Sequence, residues 1–172
     1  MATVDEVYEA VKRWTEGFDD KCLECMERNQ NVFVRLVTEQ MYSGLSGDGN
    51  YISPSYDNDD FFDQPGMWYH DSQGYKDWKY AITPPAPSSL LGLPPRPYDV
   101  PNLYINGKFY SEIFTVSGDR QIELRVVESG DGPSILGKYG DTLFDLVGAS
   151  VQYFNEEYLI PHLQDFYNDC GL

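Results

Sequence analysis

The residues from Gly44 to Asp60 read "GLSGDGNYISPSYDNDD" and contain enough acids to suggest a calcium-binding loop. An EF-hand loop places oxygen ligands at alternate positions around a central glycine and has a glutamate at the twelfth position. A loop that starts at Asp48 has Ile52 at a ligand position, and a loop that starts at Asp57 has Phe61 at a ligand position. This spacing excludes an EF-hand.

A looser cation site formed by Asp57, Asp59 and Asp60 remains open at this stage. The simpler interpretation is a turn, "GDGN", followed by an acidic loop whose carboxylates are hydrated. We therefore predict no metal site and no cofactor, and we treat the acids of this stretch as surface groups.

The chain has two histidines, His70 and His162, and three cysteines, Cys22, Cys25 and Cys170. A zinc site would need two ligands besides the C-x-x-C pair, and the pattern around that pair is helical, so we expect buried or half-buried free thiols. The sequence contains no G-x-S-x-G nucleophile elbow and no phosphate-binding glycine loop. We predict no catalytic residues and no enzymatic activity.

Apolar residues at spacings of three and four predict that residues 1–43 are helical. The first apolar face consists of Val4, Val7, Tyr8 and Val11. We expect this face to pack against the rest of the fold. We also expect Gly17 to interrupt the helix, and Asp19 or Asp20 to cap a second helix that follows it.

Residues 44–100 lack sustained periodicity and contain most of the prolines, with one helical turn plausible at "SQGYKDWKYAI". Their many aromatic rings argue against a solvated linker, because each ring offers a large area for burial. We interpret the segment as an extended arm that packs on neighbouring molecules. The predicted interface residues are Tyr51, Tyr56, Phe61, Phe62, Trp68, Tyr69, Trp78 and Tyr80.

Residues 101–128 predict a small antiparallel sheet, with turns at Asn106-Gly107 and at Ser117–Arg120. Residues 129–172 predict a turn-rich connection and a C-terminal helix that Pro161 kinks or restarts. The whole chain, 1–172, is therefore predicted to be a single α+β domain. It would combine a long N-terminal helical segment, the sheet, the C-terminal helix and a long extended insertion rich in proline and aromatic residues.

The formal net charge is −16, from 28 acids and 12 bases in 172 residues. Such a charge repels nucleic acids and anionic membranes at long range. Three roles are open for so many acids. They keep the protein in solution, they let it imitate DNA, or they line a passage through which DNA slides. The sequence has no run of about 18 apolar residues and starts with an acidic amphipathic stretch, so we expect no membrane span, no signal peptide and a reducing cytosol.

Three blocks of the sequence resemble small virion proteins of tailed phages that infect Bacteroidales, including crAss-like phages. The blocks are "EQMYSGLSGDGNYISPSY", "PNLYINGKFYSEIFTV" and "LGKYGDTLFDL". The second is similar to the sheet entry of tail-completion (neck) proteins, with Asn106-Gly107 at the Thr-Gly place, Phe109 at the apolar place and Glu112 near the usual serine. The third is similar to the Tyr-Gly or Glu-Phe-Gly element before the last helix of that family.

The resemblance implies a structural protein of the head–tail connector that forms a homo-oligomeric ring around the DNA conduit. Its partners would be the portal and other neck or tail proteins, and phage DNA would pass through without specific binding. Synthesis in the host cytoplasm would be followed by incorporation into the virion at the head–tail interface. The alternative is an acidic DNA mimic that inhibits a host nucleic-acid-binding protein, and a small hydrolase ranks last.

Overall fold

The computed structural model describes residues 3–172, so residues 1 and 2 of the predicted helical segment lie outside the described residues. The helices and strands, in chain order, are α1 (Val4–Arg28), α2 (Gln30–Tyr42), α3 (Ser72–Ile82), α4 (Lys108–Ser111), β1 (Ile113–Gly118), β2 (Gln121–Val126), α5 (Gly132–Tyr139), α6 (Gly148–Phe154) and α7 (Ile160–Asp169). The structure combines helices with one antiparallel pair of strands and has a helix at its C-terminal end, which confirms the α+β class.

The N-terminal segment contains two helices that meet at Asn29, so the predicted interruption at Gly17 is wrong. A Cβ atom built on Gly17 would lie 2.6 Å from Cζ of Phe166. The missing side chain therefore lets α7 approach α1 closely while α1 continues past it. At Asn29 the side-chain amide donates to the carbonyl oxygen of Cys25 at 2.8 Å, and such local bonding competes with continued helix.

Asp19 and Asp20 lie inside α1 and cap no helix, contrary to the prediction. Their carboxylates lie 3.7 and 3.0 Å from the guanidinium nitrogens of Arg120. Arg120 belongs to the two-residue turn between β1 and β2. This exposed contact therefore joins the hairpin turn to the middle of α1, and its contribution to stability is small because water screens it.

Helix α2 lies at the centre of the core, and Leu36, Val37 and Met41 are each 0% exposed. Buried apolar side chains form two clusters that share this helix. The first cluster consists of Val37, Met41, Ile52, Phe109, Ile113 and Leu143. The second consists of Cys25, Phe33, Leu36 and Phe154. Because residues of α2 belong to both clusters, this one helix joins the hairpin side of the fold to the C-terminal helices.

A buried amide fixes α2 against the entry to α6. Gln40 is 0% exposed, and its Nε2 donates to the carbonyl oxygen of Asp145 at 2.6 Å. Its Oε1 accepts from the backbone N–H of Val147 at 3.2 Å and from the hydroxyl of Ser150 at 3.1 Å. This one side chain therefore satisfies three polar groups in a region that water does not reach.

A sheet was predicted over residues 101–128, and the structure has one hairpin there, formed by β1 and β2. The turn after Ser117 is confirmed, since β1 pairs with β2 from Ile113↔Val126 to Gly118↔Gln121. The predicted hairpin at Asn106-Gly107 is wrong, because this dipeptide begins α4. The Asn106 side chain accepts from the Lys108 backbone N–H at 3.0 Å, and that bond turns the chain into the helix.

The C-terminal helix begins near the expected residue and changes its winding before Pro161. A π-helical turn at Asn155–Leu159 joins α6 to α7. Proline lacks the N–H that would continue regular α-helical bonding, and a local π turn accommodates that loss. The connection predicted to be rich in turns contains the helix α5, whose C-cap is Gly140, a residue with a positive φ of 86°.

The extended arm expected over residues 44–100 is not confirmed. This segment contains the eleven-residue helix α3 and folds back on its own domain, with Tyr56 only 4% exposed. The backbone N–H of Tyr56 donates to the carbonyl oxygen of Asp99 at 2.8 Å. The two ends of the segment are therefore held together within one chain.

Two buried basic side chains hold the second half of this segment. Lys79 is 1% exposed and donates to Oδ1 of Asn102 at 2.9 Å and to the carbonyl oxygen of Tyr104. Arg96 is 3% exposed and donates to the carbonyl oxygens of Thr83 and Val100, both at 3.0 Å. Proline-rich backbone has few N–H donors of its own, so these side chains supply the donors that its buried carbonyls need.

Candidate interaction surfaces

Most of the predicted interface aromatics gather around one ring that the prediction omitted, Tyr75 on α3. The five rings around it have centroids 5.1 to 6.1 Å from that of Tyr75. They belong to Tyr56, Phe61, Phe62, Trp68 and Trp78, and we call the six residues the Tyr75 cluster. Tyr75 is half-buried among these rings, and this burial raises the pKa of its hydroxyl.

The eight predicted residues divide by exposure. Tyr56 and Phe62 are buried inside the Tyr75 cluster, and Trp68 and Trp78 are half-buried there. The exposed members are Tyr51, Phe61, Tyr69 and Tyr80. Tyr80 contacts the ring of Tyr98 instead of the cluster, at 5.8 Å. The cluster therefore stabilises its own segment, and only its rim offers rings to another molecule.

Two of the four acids of the opening stretch have lysine partners. Asp57 lies 2.5 Å from the ammonium of Lys76, and Asp59 lies 2.5 Å from that of Lys138. The cation site left open by the sequence would need these same two carboxylates. Within residues 3–172, no group of three or more His, Cys, Asp or Glu side chains could hold a metal ion.

The apolar face at the start of α1 does not pack against the fold, contrary to the prediction. Val4 is 86% exposed, Val7 47%, Tyr8 64% and Val11 46%. We call these four residues the α1 stripe. The helix around them is well defined, since Thr3 and Glu6 form a capping box at its start. The stripe is therefore an ordered apolar surface that no part of residues 3–172 covers.

A second surface is concave, runs beside β2 and is lined mainly by half-buried apolar residues, with four charged residues among them. It is a groove of about 940 Å³ whose one wall is formed by the consecutive residues Ile122–Val126 of β2. Five consecutive strand residues can line one groove only where the strand presents its edge, since alternate side chains point to opposite faces. Apolar residues of the other walls are Met26, Phe33, Leu136, Phe144, Leu146 and Val151. We call this surface the β2 groove.

The total exposed area is large for a chain of this length. It is 10122 Å², whereas a compact monomer of the same size exposes roughly 8,600 Å². Natural monomers rarely expose large contiguous apolar patches, and patches of this kind mark interaction sites. The excess area therefore agrees with two surfaces that a partner covers.

The residues that could do nucleophilic chemistry are dispersed. The three cysteines are free thiols that are buried or half-buried, as predicted, and burial raises the pKa of Cys22 and Cys25. His70 stacks on Tyr69, and Nε2 of His162 is buried without a partner. In the described part of the chain, neither histidine side chain forms a hydrogen bond with a serine, threonine or cysteine. His70 is exposed, and its Nδ1 lies 3.6 Å from a carboxylate oxygen of Asp63.

Most of the 28 acids take part in no ion pair among residues 3–172. The negative field predicted from composition is therefore not cancelled by internal pairing. Within the same residues, no helix combines the length and the hydropathy that a bilayer-spanning helix requires. No protein-family model, curated protein or solved structure matches the chain.

Proposed function

We propose that this protein is a structural subunit of a phage head–tail connector, a tail-completion or neck protein that assembles into a ring around the DNA conduit. The observation that carries the proposal is the pair of different uncovered apolar surfaces, the α1 stripe and the β2 groove. A ring needs such a pair, because each subunit meets the preceding copy with one surface and the following copy with another.

The charge of the chain supports a role beside DNA without binding it. A conduit that attracted phosphates would hold its cargo, because every cation that contacts DNA releases counterions and adds affinity. With a formal net charge of −16, a ring of many copies would repel DNA from its inner wall and keep friction low. The acids without internal partners are the residues that would supply this repulsion.

The rim of the Tyr75 cluster at Phe61, together with the exposed rings of Tyr69 and Tyr80 outside the cluster, supports contacts with other connector proteins. Phe61, Tyr69 and Tyr80 are each about half exposed, at 49%, 51% and 51%. Tyrosine rings are enriched at protein interfaces because they bury a large area at a low cost in conformational entropy. The portal and the neighbouring neck or tail proteins are the partners that we assign to these exposed residues. Contacts between neighbouring copies within the ring would then use the α1 stripe and the β2 groove.

The proposal is tested by the position of the protein in purified virions. We expect electron cryo-microscopy of the head–tail vertex to reveal a ring of density that fits residues 3–172 and encloses the DNA channel. A chain that is absent from virions would contradict the proposal.

A binding assay separates the proposal from the acidic DNA mimic. A connector subunit should leave host nucleic-acid-binding proteins bound to their DNA, as measured by a gel-shift competition with host extract. A mimic should instead displace that DNA at stoichiometric concentrations and lose this activity at high salt. Displacement by a protein that is also missing from the virion would favour the mimic.

A further inference from the structure

We infer that the α1 stripe of one copy binds in the β2 groove of the next copy, head to tail. This inference rests on the proposed ring and specifies the two surfaces that close it. Both surfaces are mainly apolar; the stripe is convex and exposed, and the groove is concave and open to another molecule. A single repeated contact of this type would cover both surfaces on every subunit of a closed ring.

The spacing of the α1 stripe suits a helix that lies in a groove. Its residues occupy positions i, i+3, i+4 and i+7 from Val4, which is the anchor spacing of amphipathic helices bound in apolar grooves. The capping box fixes the helix at this end: the backbone N–H of Thr3 donates to Glu6 Oε2 at 2.7 Å, and the backbone N–H of Glu6 donates to Thr3 Oγ1 at 3.3 Å. The anchors are therefore ordered before binding, which reduces the entropy lost on docking.

The dimensions of the two surfaces agree. Seven helical steps from Val4 to Val11 span about 10 Å. The four strand steps from Ile122 to Val126 span about 14 Å. The groove is therefore long enough to receive all four anchors.

The α1 stripe cannot reach the β2 groove of its own chain. Met26, in the last part of α1, already lines this groove. Fifteen helical steps separate Val11 from Met26, which is about 22 Å along a continuous helix. Because α1 is unbroken from Val4 to Arg28, the stripe and the groove stay apart within one molecule, and the occupant must come from another copy.

Charges of both signs border the two surfaces. Lys12 is exposed next to the α1 stripe and has no ion-pair partner within residues 3–172. Asp141 and Asp145 are exposed at the rim of the β2 groove, and in that same part of the chain neither takes part in an ion pair. Asp5 and Glu9 are also exposed on α1, and Arg125 lies in the groove wall. The favoured orientation of the docked stripe is therefore the one that places Lys12 near Asp141 and Asp145 and the acids of α1 away from them, because rim charges select orientation.

Edge-to-edge pairing of two β2 strands is the competing use of the groove. That arrangement is isologous, so it makes a closed dimer in which both copies lose the groove together. It leaves the α1 stripe exposed on both copies. The head-to-tail contact covers both surfaces with one interface, and for this reason the structure favours it.

The test uses two exposed valines at equivalent positions of their helices. Val7 is the fourth residue of α1, and Val151 is the fourth residue of α6 at the wall of the β2 groove. An aspartate near a helix N-terminus is favourable for the helix itself, so Val7→Asp and Val151→Asp should both fold. Each variant alone should lose assembly, with the apparent Kd raised by at least about tenfold.

Mixing the two variants separates a head-to-tail contact from an isologous one. Val7→Asp keeps an intact groove and Val151→Asp keeps an intact stripe, so an equimolar mixture should form 1:1 heterodimers and nothing larger. Native mass spectrometry measures these species directly. Ile105→Asp is the matched control, since this residue is 53% exposed and belongs to neither surface. The control should assemble like the wild type, and circular dichroism should give the same helical content for all variants.

Three results would overturn the inference, and they differ in what they imply for the proposed ring. If the wild type forms rings and Val7→Asp forms them equally well, the ring stands but its contact lies elsewhere. If both variants stay monomeric and their mixture gives no heterodimer, the contact is not head to tail between these surfaces. A wild type that never assembles would contradict both the inference and the proposed function.

Discussion

Helix α2 and the first turns of α1 have similar apolar patterns and opposite environments. In α2 the residues Leu36 and Val37 are 0% exposed, whereas in α1 Val4 is 86% exposed and Val7 is 47% exposed. The pattern identifies an apolar face in both helices. What covers that face is decided by the topology of the chain, which surrounds α2 and leaves the start of α1 without a neighbour.

The difference indicates which parts of the molecule are complete in one chain. The core around α2 carries the stability of the monomer, because its apolar area is already removed from water. The α1 stripe adds nothing comparable to the monomer and keeps its apolar area available for association. Substitutions in the two regions should therefore affect different measurements.

The largest effect is expected from Leu36→Ala. Deleting a fully buried leucine side chain in α2 should lower the free energy of unfolding by about 2–5 kcal/mol. Val7→Ala should change it by less than about 0.5 kcal/mol, as for other exposed positions. Urea denaturation at a concentration where the protein is monomeric measures both. Similar losses for the two variants would show that the stripe is buried in the monomer.

The next effect concerns the buried amide of α2. Gln40→Ala leaves the N–H of Val147, the hydroxyl of Ser150 and the carbonyl of Asp145 without their partner. We expect a loss of about 1–3 kcal/mol in the free energy of unfolding. Gln152→Ala is the control, because that exposed side chain donates only to Glu156. An equal, small change for both variants would contradict the role of Gln40 in joining α2 to α6.

The smallest effect depends on pH and tests the folded state of residues 44–100. Burial, with the charge of Arg96 as the second cause, lowers the pKa of Lys79 from 10.5 to about 7. Between these two pH values the unfolded chain binds more protons than the folded chain, so stability should rise as the pH increases through this window.

The expected gain is at most about 1 kcal/mol per pH unit between pH 7 and pH 9. Lys79→Met should flatten this dependence, whereas Lys76→Met, on the same helix, should keep it. Thermal unfolding at a series of pH values measures the slope. A wild-type slope that equals the slope of Lys79→Met would contradict the burial of Lys79 and with it the packed form of the segment.

Periodicity and turn chemistry predicted the elements whose causes are local. The hairpin between Ser117 and Gln121 follows from alternation on both sides of a short polar turn. The C-terminal helix follows from its apolar side, and the thiols follow from their place in helical patterns. The break at Asn29 was missed, because Gly17 has a lower helix propensity and its role as a contact point for Phe166 depends on the tertiary fold.

The candidate surfaces were harder to predict than the core. The eight aromatic residues were assigned to an interface, yet two of them are buried in the Tyr75 cluster. A loop rich in charge can form its own interior when buried lysine and arginine side chains bond to its backbone. Lys79 and Arg96 look like surface residues in the sequence. The β2 groove was not predicted at all, because its walls come from α1, α2, β2, α5 and α6 and the segments that link them.

The central claim is that this chain is an incomplete unit that associates through different surfaces. The most direct test is the mass of the purified wild type in solution, measured by sedimentation equilibrium from about 1 to 100 µM, which brackets micromolar association. We predict a closed oligomer whose mass is a fixed multiple of the monomer and whose share grows with concentration. A monomer at every concentration would contradict the claim.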